Sequence, residues 1–462
     1  MASQWSTATS SFASKRPDVF EKVLIANRGE IALRVIRSCR ERGLRTVAVH
    51  SEADADALHT RLADEAICIG PPEASRSYLH IPAIIAAAEI TGADAIHPGY
   101  GFLSENPEFA ETCAQCGLKF IGPLPEQMRA WGDKVSARKL AKSLGLPILE
   151  GSPLLENVED AVKTADTLGF PVILKASGGG GGRGMQILRS PEEVRAAFDT
   201  ARAESLAAFG SDTLYFERYL ERPRHIEFQI LGDAEGNIQV LGERECSIQR
   251  RHQKILEEAP SVAISEEQRN DMSATIERAM SEVGYLSAGT LEFLLDEGGE
   301  LTFLEMNPRI QVEHPVTELI MGVDLVGEQI RIAEGETLSV PSHPLSPRGH
   351  AIECRINAED PETFAPWPGL ITELHMAGGT GVRVDSGVYG GGRVPPHYDP
   401  LVAKLIVHAP TRKQAIAKMR RALSETIIGG IRTNIPLHQR ILAHPAFEEG
   451  RVSTWFLDDL QG

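Results

Sequence analysis

Long apolar segments are missing from this sequence. None of its apolar runs reaches the roughly 18 residues that a membrane-spanning helix needs, which argues against a helical membrane protein. Residues 1–17 are rich in Ser and Thr, contain Lys15 and Arg16, and lack the apolar stretch of a secretory signal. We therefore expect a flexible tail at 1–17, a cytoplasmic location and no membrane partner.

Cysteine is scarce as well: the 462 residues include six, and these are scattered along the chain. A chain of this length can bury a full core without disulfide bonds, so this usage fits a reducing, cytoplasm-like compartment. Cys113 and Cys116 form a single CxxC pair, whereas a structural zinc site would need a second pair. The pair is more simply interpreted as two thiols on one face of a helix.

Positive charge is in deficit. The 47 Lys and Arg residues are outnumbered by 64 Asp and Glu residues, for a formal net charge of −17. Such a surface argues against nucleic acid or an anionic membrane as a partner, although an anionic small molecule can still bind where basic residues cluster. With 42% hydrophobic and 24% charged residues, the composition is that of a globular protein, and the length indicates about three domains.

The N-terminal part alternates between strand and helix patterns. We predict a buried strand at Lys22–Ala26, an amphipathic helix at Glu30–Arg42 and a second strand at Arg45–His50. A further helix over Ile81–Thr91 precedes a strand over Ala93–Ile96. Alternation of this kind with short loops predicts a parallel sheet covered by helices, so the expected fold class is α/β with a Rossmann-like N-terminal domain.

The sequence divides into five parts. We expect a tail over 1–17, a Rossmann-like domain over 18–121, a linker over 122–148, a small α+β module over 149–219 and a remainder over 220–462. The linker is assigned because Gly and Pro residues flank its helical stretches. The last part has strand patterns at His225–Leu231 and Asn237–Leu241, followed by helices and further strands.

A run of glycines at 178–184, interrupted only by Arg183, is the strongest local signal. It is not a P-loop, because no Gly-Lys-Ser/Thr follows, and it joins two predicted strands, Pro171–Ala176 and Met185–Leu188, instead of opening a helix. The backbone N–H groups of such a loop can lie over phosphates, and a mobile loop can close as a lid. We favour a phosphate-binding lid over a plain linker, because strands adjoin both ends and Lys175 lies just before it.

Two glutamates are predicted to lie side by side on a hairpin. Residues 290–307 form two strand patterns around Gly298 and Gly299, a favoured two-residue turn. That turn sets a register in which Glu292 lies opposite Glu305, and carboxylates in this position repel unless a cation accompanies them. Hard oxygen ligands near a phosphate-binding loop indicate Mg²⁺. The alternatives are that one Glu is protonated, or that a longer turn shifts the register.

The segment that follows Glu305 carries further polar side chains. If the chain stays extended, every second residue shares one face. The residues that this places together are Asn307, Arg309, Gln311 and Glu313. Pro308 and Pro315 disfavour a helix here. A metal ligand, a cation, an amide and a carboxylate on one face indicate a reaction surface and not a core.

Two basic features stay ambiguous on local chemistry alone. The basic run Gln249–Lys254 precedes Glu257 and Glu258, so it either binds an anion or pairs with these acids. Arg355 lies in a strand-like stretch, where a buried arginine is usually salt-bridged. Neither feature would be chosen as a functional site without further information.

Taken together, these motifs resemble the biotin carboxylase family, from about Lys22 to the C-terminus. The segments that carry the resemblance are 25–32 (IANRGEIA), 97–105 (HPGYGFLSE), 132–134 (GDK), Lys175 with the glycine loop, 249–254 (QRRHQK), 305–314 (EMNPRIQVEH) and 355–361 (RINAEDP). Their number and order argue against a chance match. The resemblance implies a Rossmann-like N-terminal domain, an ATP-grasp lid over 149–219, and an ATP-grasp core with an α+β C-terminal domain over 220–462.

The resemblance also implies a role for each matching position. The implied ATP contacts are Lys134, Lys175, Gly180, Gly181, Met185, Glu217, Leu220, His225, Gln249, His252, Glu292 and Glu305. The implied ligands of two Mg²⁺ or Mn²⁺ ions are Glu292, Glu305 and Asn307. The implied bicarbonate pocket contains Lys254, Arg309, Gln311, Val312 and Glu313, and the implied biotin pocket contains Tyr100, Gln311 and Arg355. Glu313 is then the catalytic base, Arg355 stabilises the biotin enolate, and Lys254 and Arg309 complete the catalytic set.

The implied reaction is ATP-dependent carboxylation of biotin by bicarbonate through carboxyphosphate, the first half-reaction of acetyl-CoA carboxylase in fatty acid synthesis. The implied partners are a biotin carboxyl carrier protein, a carboxyltransferase component and a second copy of the chain. Pro308 and His397–Pro400 depart from the pattern of bacterial stand-alone subunits, which leaves open another acyl-CoA or 2-oxoacid carboxylase. A different ATP-grasp ligase would not need the catalytic set, and a non-catalytic nucleotide sensor would not need a base and a metal pair.

Overall fold

The computed structural model describes residues 20–176, 185–209, 211–340 and 346–461. Within those ranges, no helix is both long enough and apolar enough to cross a lipid bilayer. The tail at 1–17 and the glycine loop at 178–184 lie outside the described residues. The expectations for these two segments therefore stay predictions.

The N-terminal unit is built on a parallel sheet. Its strands are β1 (Lys22–Ile25), β2 (Arg45–Ser51), β3 (Glu65–Gly70), β4 (Ala95–His97) and β5 (Lys119–Phe120). They follow the order β3-β2-β1-β4-β5 and all pair in parallel, as the sequence predicts. The central strand β1 is buried along its whole length, because helices cover both faces of a parallel sheet.

Six helices accompany this sheet and continue beyond it. They are α1 (Gly29–Glu41), α2 (Leu58–Leu62), α3 (Ile81–Thr91), α4 (Pro107–Gln115), α5 (Pro125–Gly132) and α6 (Lys134–Ser143). The predicted bounds of α3 are confirmed, and Gly92 ends that helix in the left-handed conformation at φ +62°. The last two helices occupy most of the segment 122–148 that the sequence predicts as a linker with helical stretches.

A small antiparallel module follows. Its elements are α7 (Val158–Leu168), β6 (Val172–Ala176), β7 (Met185–Leu188), α8 (Pro191–Phe209) and β8 (Leu214–Arg218). The three strands follow the order β7-β6-β8, and their apolar side chains pack with those of the two helices into a separate core. The described strands end on both sides of the glycine loop, which places that loop between β6 and β7 in the chain.

An antiparallel eight-stranded sheet forms the centre of the rest of the chain. Its strands are β9 (Arg224–Gly232), β10 (Ile238–Arg250), β11 (Gln253–Ala259), β12 (Ser287–Leu295), β13 (Leu301–Asn307), β14 (His350–Asn357), β17 (Val382–Ser386) and β19 (Leu401–Ala409). Their order is β13-β12-β9-β10-β11-β14-β19-β17, and every neighbouring pair is antiparallel. Because one sheet continues from the middle of the chain into its C-terminal part, residues from both parts reach one surface.

The remaining elements cover this sheet. The helices are α9 (Glu266–Glu282), α10 (His314–Met321), α11 (Leu325–Ala333), α12 (Arg412–Glu425), α13 (Ile435–Ala443), α14 (Pro445–Glu448) and α15 (Phe456–Gln461). The short strands are β15 (Gly369–Leu370), β16 (Glu373–His375), β18 (Arg393–Val394) and β20 (Ile427–Gly429). The apolar faces of α12 and α13 pack with β14 and β19 into the C-terminal core. The expected α/β class, with a parallel N-terminal domain and an α+β C-terminal part, is confirmed.

Candidate active site

Strands β12 and β13 place Glu292 directly opposite Glu305, as the sequence predicts. The predicted two-residue glycine turn is wrong, however, because a longer loop joins the strands. Asp296 and Glu300 close this loop, with the backbone N–H of Asp296 donating to the Glu300 carbonyl at 3.1 Å. The Asp296 carboxylate also accepts from the Glu300 N–H at 2.9 Å. The aspartate side chain therefore helps to close the turn, whereas the prediction relied on the glycine pair alone.

A β-bulge restores the predicted pairing. Next to the loop, Leu295 lies opposite Leu301, which is one residue out of the predicted register. The register then shifts between Phe293 and Glu292, where Leu304 is the extra residue on β13 and is 45% exposed. Two departures from the prediction thus cancel at Glu292, and the two carboxylates face each other.

Glu292 belongs to a row of charged side chains that crosses four neighbouring strands. Beyond Glu305 and Glu292, the row continues through Glu227 on β9 to Arg244 on β10. Glu227 is fully buried and accepts hydrogen bonds from Arg244 and from Lys254. The protein itself therefore supplies part of the positive charge that the facing glutamates require.

Lys254, at the start of β11, joins three of the acids. Its Nζ donates to Glu292 at 2.8 Å and to Glu313 at 2.7 Å, in addition to Glu227. Burial by itself would lower the pKa of this ammonium group, but the three carboxylates outweigh burial and raise the pKa well above its usual value. Lys254 is therefore charged at neutral pH.

The basic run Gln249–Lys254 forms the tip of the β10–β11 hairpin. Arg251 and His252 occupy the two turn positions, with φ values of +48° and +65°, and both are exposed. Gln249 is buried and donates from Nε2 to the Cys246 carbonyl at 2.8 Å. The sequence leaves open whether this run binds an anion or pairs with Glu257 and Glu258. Lys254 does form ion pairs, but its partners are Glu227, Glu292 and Glu313, which are distant from the run in the sequence.

Glu313 is fully buried immediately before α10. Its carboxylate accepts from Lys254 at 2.7 Å and from Nη2 of Arg355 at 2.9 Å. Burial and the nearby Glu227 would raise the pKa of Glu313, but Lys254, Arg355 and Arg244 together hold it below its usual value. The carboxylate is therefore ionised at neutral pH.

The prediction that the chain stays extended as far as Glu313 is wrong. Strand β13 ends at Asn307, and Pro308, which has no N–H to donate, follows at once. A turn then redirects the chain, with the His314 N–H donating to the Gln311 carbonyl at 3.3 Å. Glu313 therefore reaches the site from a turn at a helix start and not from a continued strand face.

Arg309 and Glu313 consequently do not share one extended face. The Nε of Arg309 lies 2.9 Å from the carboxylate of Glu105, in the 97–105 segment. Asn307 and Gln311 do stay beside Glu292: the Nδ2 of Asn307 donates to it at 2.8 Å and the Nε2 of Gln311 at 3.1 Å. Arg309 also donates to both amide oxygens, at 3.1 Å and 2.8 Å.

Arg355 is held through both its side chain and its backbone. Its Nε donates to Glu257 at 2.6 Å while its Nη2 donates to Glu313. Its carbonyl accepts from Nδ2 of Asn434 at 2.9 Å and from Nε2 of His438 at 2.8 Å. The expectation of a salt-bridged arginine is confirmed, and the guanidinium group is aimed at the predicted base.

Tyr100 lies in the 97–105 segment of the N-terminal unit, and its hydroxyl donates to the buried carboxylate of Glu30 on α1. Asn27 holds this segment, because its Nδ2 donates to the Pro98 carbonyl at 2.7 Å and to the Tyr100 carbonyl at 2.8 Å. The IANRGEIA and HPGYGFLSE motifs are therefore in direct contact, at the edge of the site that the N-terminal unit contributes.

The residues predicted to contact the nucleotide are spread over several elements. Lys175 and Glu217 are paired across β6 and β8, with Lys175 Nζ donating at 2.5 Å, and Arg138 donates to the same carboxylate. Leu220 is buried, whereas Met185 on β7 is 40% exposed. The side chain of Lys134, and the glycines at 180 and 181, lie outside the described residues.

His225 is buried at the start of β9, with its Nε2 3.1 Å from Glu292. Burial alone would lower the pKa of this histidine, but Glu292 outweighs burial and raises it to about 9. The imidazole is therefore protonated at neutral pH and can serve as a donor to an anionic ligand as well as to Glu292.

Sequence reasoning missed Glu227 and Glu257. A signal for Glu227 was present, because it lies two residues after His225 on a predicted strand and so shares its face. No local signal marks Glu257, whose partner Arg355 is 98 residues further along the chain. Burial raises the pKa of Glu257 against the opposing effect of Arg355, so this acid retains its proton more strongly than an exposed glutamate.

The donor set fits a divalent metal ion. Glu292 and Glu305 offer carboxylate oxygens at the same level of two adjacent strands, and such hard donors are those that Mg²⁺ and Mn²⁺ prefer. His225 and Glu227 also lie close to Glu292, but the protonated imidazole of His225 cannot serve as a metal ligand. Asn307 fits less directly, because its amide already bonds to Glu292 and to Arg309.

Three family models together match most of the chain. The biotin carboxylase N-terminal domain matches residues 19–128, the ATP-binding domain of the carbamoyl-phosphate synthase L chain matches 133–340, and the biotin carboxylase C-terminal domain matches 353–459. The middle match is the domain that contains the row of glutamates and Lys254.

Similar proteins agree with these matches. Biotin carboxylase of Haemophilus influenzae is 56% identical over 96% of this chain and 99% of its own length. One of the pyruvate carboxylase subunits of Methanothermobacter thermautotrophicus is 52% identical over 96% of this chain and 90% of its own length. Both therefore correspond to the chain nearly end to end.

Solved structures show the same fold. A Campylobacter jejuni biotin carboxylase in complex with a β,γ-ATP ligand superimposes with a TM-score of 0.88 and 46% identity, over 96% of this chain and 99% of that one. The biotin carboxylase domain of a thermophilic 2-oxoglutarate carboxylase bound to bicarbonate superimposes with a TM-score of 0.91 and 47% identity, over 95% and 98%. The chain therefore belongs to the biotin carboxylase family of ATP-grasp ligases.

Proposed function

We propose that this chain carboxylates biotin on a carrier protein with ATP and bicarbonate, as the first half-reaction of acetyl-CoA carboxylase. The observation that carries the proposal is the position of Glu313, a fully buried and ionised carboxylate between Lys254 at 2.7 Å and Arg355 at 2.9 Å. This arrangement joins a base to one cation that contacts the row of glutamates, Lys254, and to a second on the C-terminal strand β14.

Glu313 is the base that removes the proton of bicarbonate. Bicarbonate is a weak nucleophile until that proton leaves, and a positioned base contributes about 10²–10⁴-fold to such a step. Lys254 and Arg355 lower the pKa of Glu313 while they bond to it. When bicarbonate and biotin engage these cations, the carboxylate loses part of their stabilisation, and its affinity for a proton rises at the moment when it must accept one.

The chemistry then proceeds through carboxyphosphate. The deprotonated bicarbonate oxygen attacks the γ-phosphorus of ATP, which gives carboxyphosphate and ADP. Carboxyphosphate breaks into CO₂ and phosphate, and that phosphate takes the N1′ proton of biotin. The biotin enolate, stabilised by the Arg355 guanidinium, attacks CO₂ and forms carboxybiotin. Glu257, 2.6 Å from the Nε of Arg355, fixes the direction of the guanidinium group.

Glu292 and Glu305 would hold the divalent metal, which supplies charge neutralisation on the nucleotide phosphates. Lys175, His225 and Glu217 form the nucleotide contacts, together with the glycine loop. Arg309 and Lys254 bind bicarbonate, with Gln311 and Val312 beside them. Tyr100, Gln311 and Arg355 form the biotin pocket.

The parent complex is the finer part of the proposal. Acetyl-CoA carboxylase is favoured because chloroplastic and bacterial relatives named biotin carboxylase match nearly the whole chain. The second candidate is a 2-oxoacid carboxylase, which the relatives named for pyruvate and 2-oxoglutarate support. In either complex we propose a biotin carrier protein and a carboxyltransferase as partners, and a homodimer of this chain. We also propose a reducing compartment such as the cytoplasm, because all six cysteines are free thiols.

The decisive experiment measures ATP hydrolysis by the purified chain with and without bicarbonate, and with and without free biotin. A biotin carboxylase hydrolyses ATP only with bicarbonate, and free biotin increases the rate. Hydrolysis that is indifferent to biotin would indicate a different ATP-grasp ligase. ATP binding without any turnover would indicate a nucleotide sensor and contradict the proposal.

A further inference from the structure

Lys404 on β19 has no role in the reaction described above, yet its ammonium group lies against two parts of the site. The residue is 0% exposed. Its Nζ donates to the backbone carbonyl of Val312 at 2.8 Å and lies 3.2 Å from the carboxylate of Glu30. It also lies 5.9 Å from the ring centre of Tyr100, so one buried cation contacts the bicarbonate turn and the biotin edge.

The bond to Val312 matters because it restrains, from a separate strand, the turn that carries Glu313. Strand β13 ends at Asn307, so the backbone beyond it is outside the ladder of hydrogen bonds that holds the sheet. The backbone hydrogen bonds that close the turn are long, at 3.3 Å from His314 N–H to the Gln311 carbonyl and 3.3 Å from Val316 N–H to the Glu313 carbonyl. The Nδ1 of His314 also donates to the Gln311 carbonyl, at 2.8 Å. The Lys404 bond is charge-assisted and, among these contacts, is the one that reaches the Val312–Glu313 peptide itself.

The carbonyl of Val312 and the N–H of Glu313 belong to one planar peptide group. A donor that fixes the Val312 carbonyl therefore fixes the orientation of the backbone from which the Glu313 side chain projects. A displacement of about 1 Å at a reacting group can reduce a rate by roughly a hundredfold. The position of Lys404 is thus suited to control how the base meets bicarbonate.

A fully buried ammonium group is expensive to desolvate unless acids compensate for it. Glu30 on α1 provides one, and Asp385 on β17, directly opposite Lys404 in the sheet, provides another. Arg355 lies opposite Lys404 on the other neighbouring strand, which puts both on the face of the sheet that carries the site. The N-terminal unit, the turn before α10 and the C-terminal strands therefore meet at this one side chain.

We propose that Lys404 is a positioning residue for bicarbonate, which acts by holding the Val312–Glu313 peptide in place. The inference rests on the proposed function, because it assigns Lys404 to the same bicarbonate pocket. It predicts a specific defect: loss of the ammonium group weakens the use of bicarbonate and leaves the use of ATP unchanged.

The test is the double variant Lys404→Met with Glu30→Gln, assayed as bicarbonate-dependent ATP hydrolysis without biotin. Removing both members of the ion pair avoids leaving either one as an unpaired buried charge, so we expect the double variant to fold. We expect its KM for bicarbonate to rise roughly tenfold or more and its kcat to fall, while its KM for ATP stays within about twofold. An unchanged KM for bicarbonate in the folded double variant would overturn the inference.

Two single variants separate positioning from charge balance. Glu30→Gln keeps Lys404 and its bond to Val312, so its KM for bicarbonate should stay within about twofold of the wild type. Arg269→Met is the matched control for a lost buried ion pair, because it breaks the pair with Glu243 between α9 and β10, outside the site. Arg269→Met should lower the Tm without a selective rise in the KM for bicarbonate. A KM for bicarbonate raised equally by Glu30→Gln would contradict the role assigned to Val312.

If the Met double variant does not fold, Lys404→Gln with Glu30→Gln carries the same test. The glutamine amide keeps the position polar but is one bond shorter than lysine, so it falls short of the Val312 carbonyl. The same rise in KM for bicarbonate is expected, and its absence overturns the inference. A wild-type chain without bicarbonate-dependent hydrolysis would instead contradict the proposed function, so the two failures are distinguishable.

Discussion

Arg355 and Glu313 form a buried ion pair, with Nη2 of the arginine donating to the carboxylate at 2.9 Å. They come from different parts of the fold, strand β14 and the turn before α10. The group assigned to the biotin enolate and the group assigned to bicarbonate therefore neutralise each other before substrates bind. In the proposed function, substrate binding replaces this contact and so couples the occupancy of the biotin pocket to the basicity of Glu313.

Glu313→Gln keeps the shape of the side chain and removes the base. We expect ATP binding to persist and bicarbonate-dependent turnover to fall by about 10²–10⁴-fold. The measurement is ATP affinity by calorimetry together with steady-state ATP hydrolysis. Glu328→Gln is the matched control, because Glu328 is also buried but bonds to Ser339, which has no assigned role in the site. Near wild-type carboxylation of free biotin by Glu313→Gln would show that the base lies elsewhere.

Glu305→Gln should reduce the Mg²⁺-dependent rate by orders of magnitude and raise the metal concentration needed for half-maximal activity, because one of two facing carboxylates loses its charge. Glu292→Gln should do the same and also disturb Lys254 and His225, both of which bond to Glu292. Metal titrations of both variants, after removal of metal with EDTA, measure the effect. Normal turnover of Glu305→Gln at limiting Mg²⁺ would contradict the assignment of the metal site.

Gly180→Val and Gly181→Val test the predicted lid, which lies outside the described residues. A β-branched side chain restricts φ and adds bulk, so closure over the phosphates should be hindered, with weaker ATP binding and slower turnover. Gly378→Val is the matched control, since its site has open space around it and no positive φ. Wild-type ATP affinity and turnover in both loop variants would favour the linker interpretation.

Acid should destabilise the fold through histidines that are buried without charge. Burial lowers the pKa of His59 and of His438 to about 4, against an ordinary value of 6.5. As the pH falls from 6.5 to about 4, the unfolded chain takes up protons that the folded chain refuses, so the free energy of unfolding decreases by up to about 1.4 kcal/mol per pH unit for each histidine.

Urea unfolding of His59→Gln at several pH values between 7 and 4 measures this contribution. The variant should show a shallower loss of stability across this window than the wild type, whatever its stability at neutral pH. His375→Gln, at an exposed position on β16, should leave the slope unchanged. Equal slopes for His59→Gln and the wild type would mean that His59 is not buried as a neutral side chain.

The elements that sequence patterns predict well are those whose cause is local. Helix α3 begins and ends where its apolar periodicity and Gly92 indicate, and β7 matches its predicted bounds of Met185–Leu188. The facing pair Glu292 and Glu305 was predicted as well, although through a turn that the structure does not have. A bulge corrected the register there, and no pattern in the two strands marks that bulge.

The sequence by itself determined the family and the α/β class, and it predicted most of the side chains that the structure brings together around Glu292 and Glu313, because glycine, proline and apolar spacing act over a few residues and the motifs are contiguous. Only the tertiary structure decided which charges pair. Arg355 reaches Glu257 and Glu313 across 98 and 42 residues, and Lys404 reaches Val312 across 92. A buried charge must find its counter-charge wherever the packed sheet presents one, and that depends on strand order and register, which no local pattern encodes.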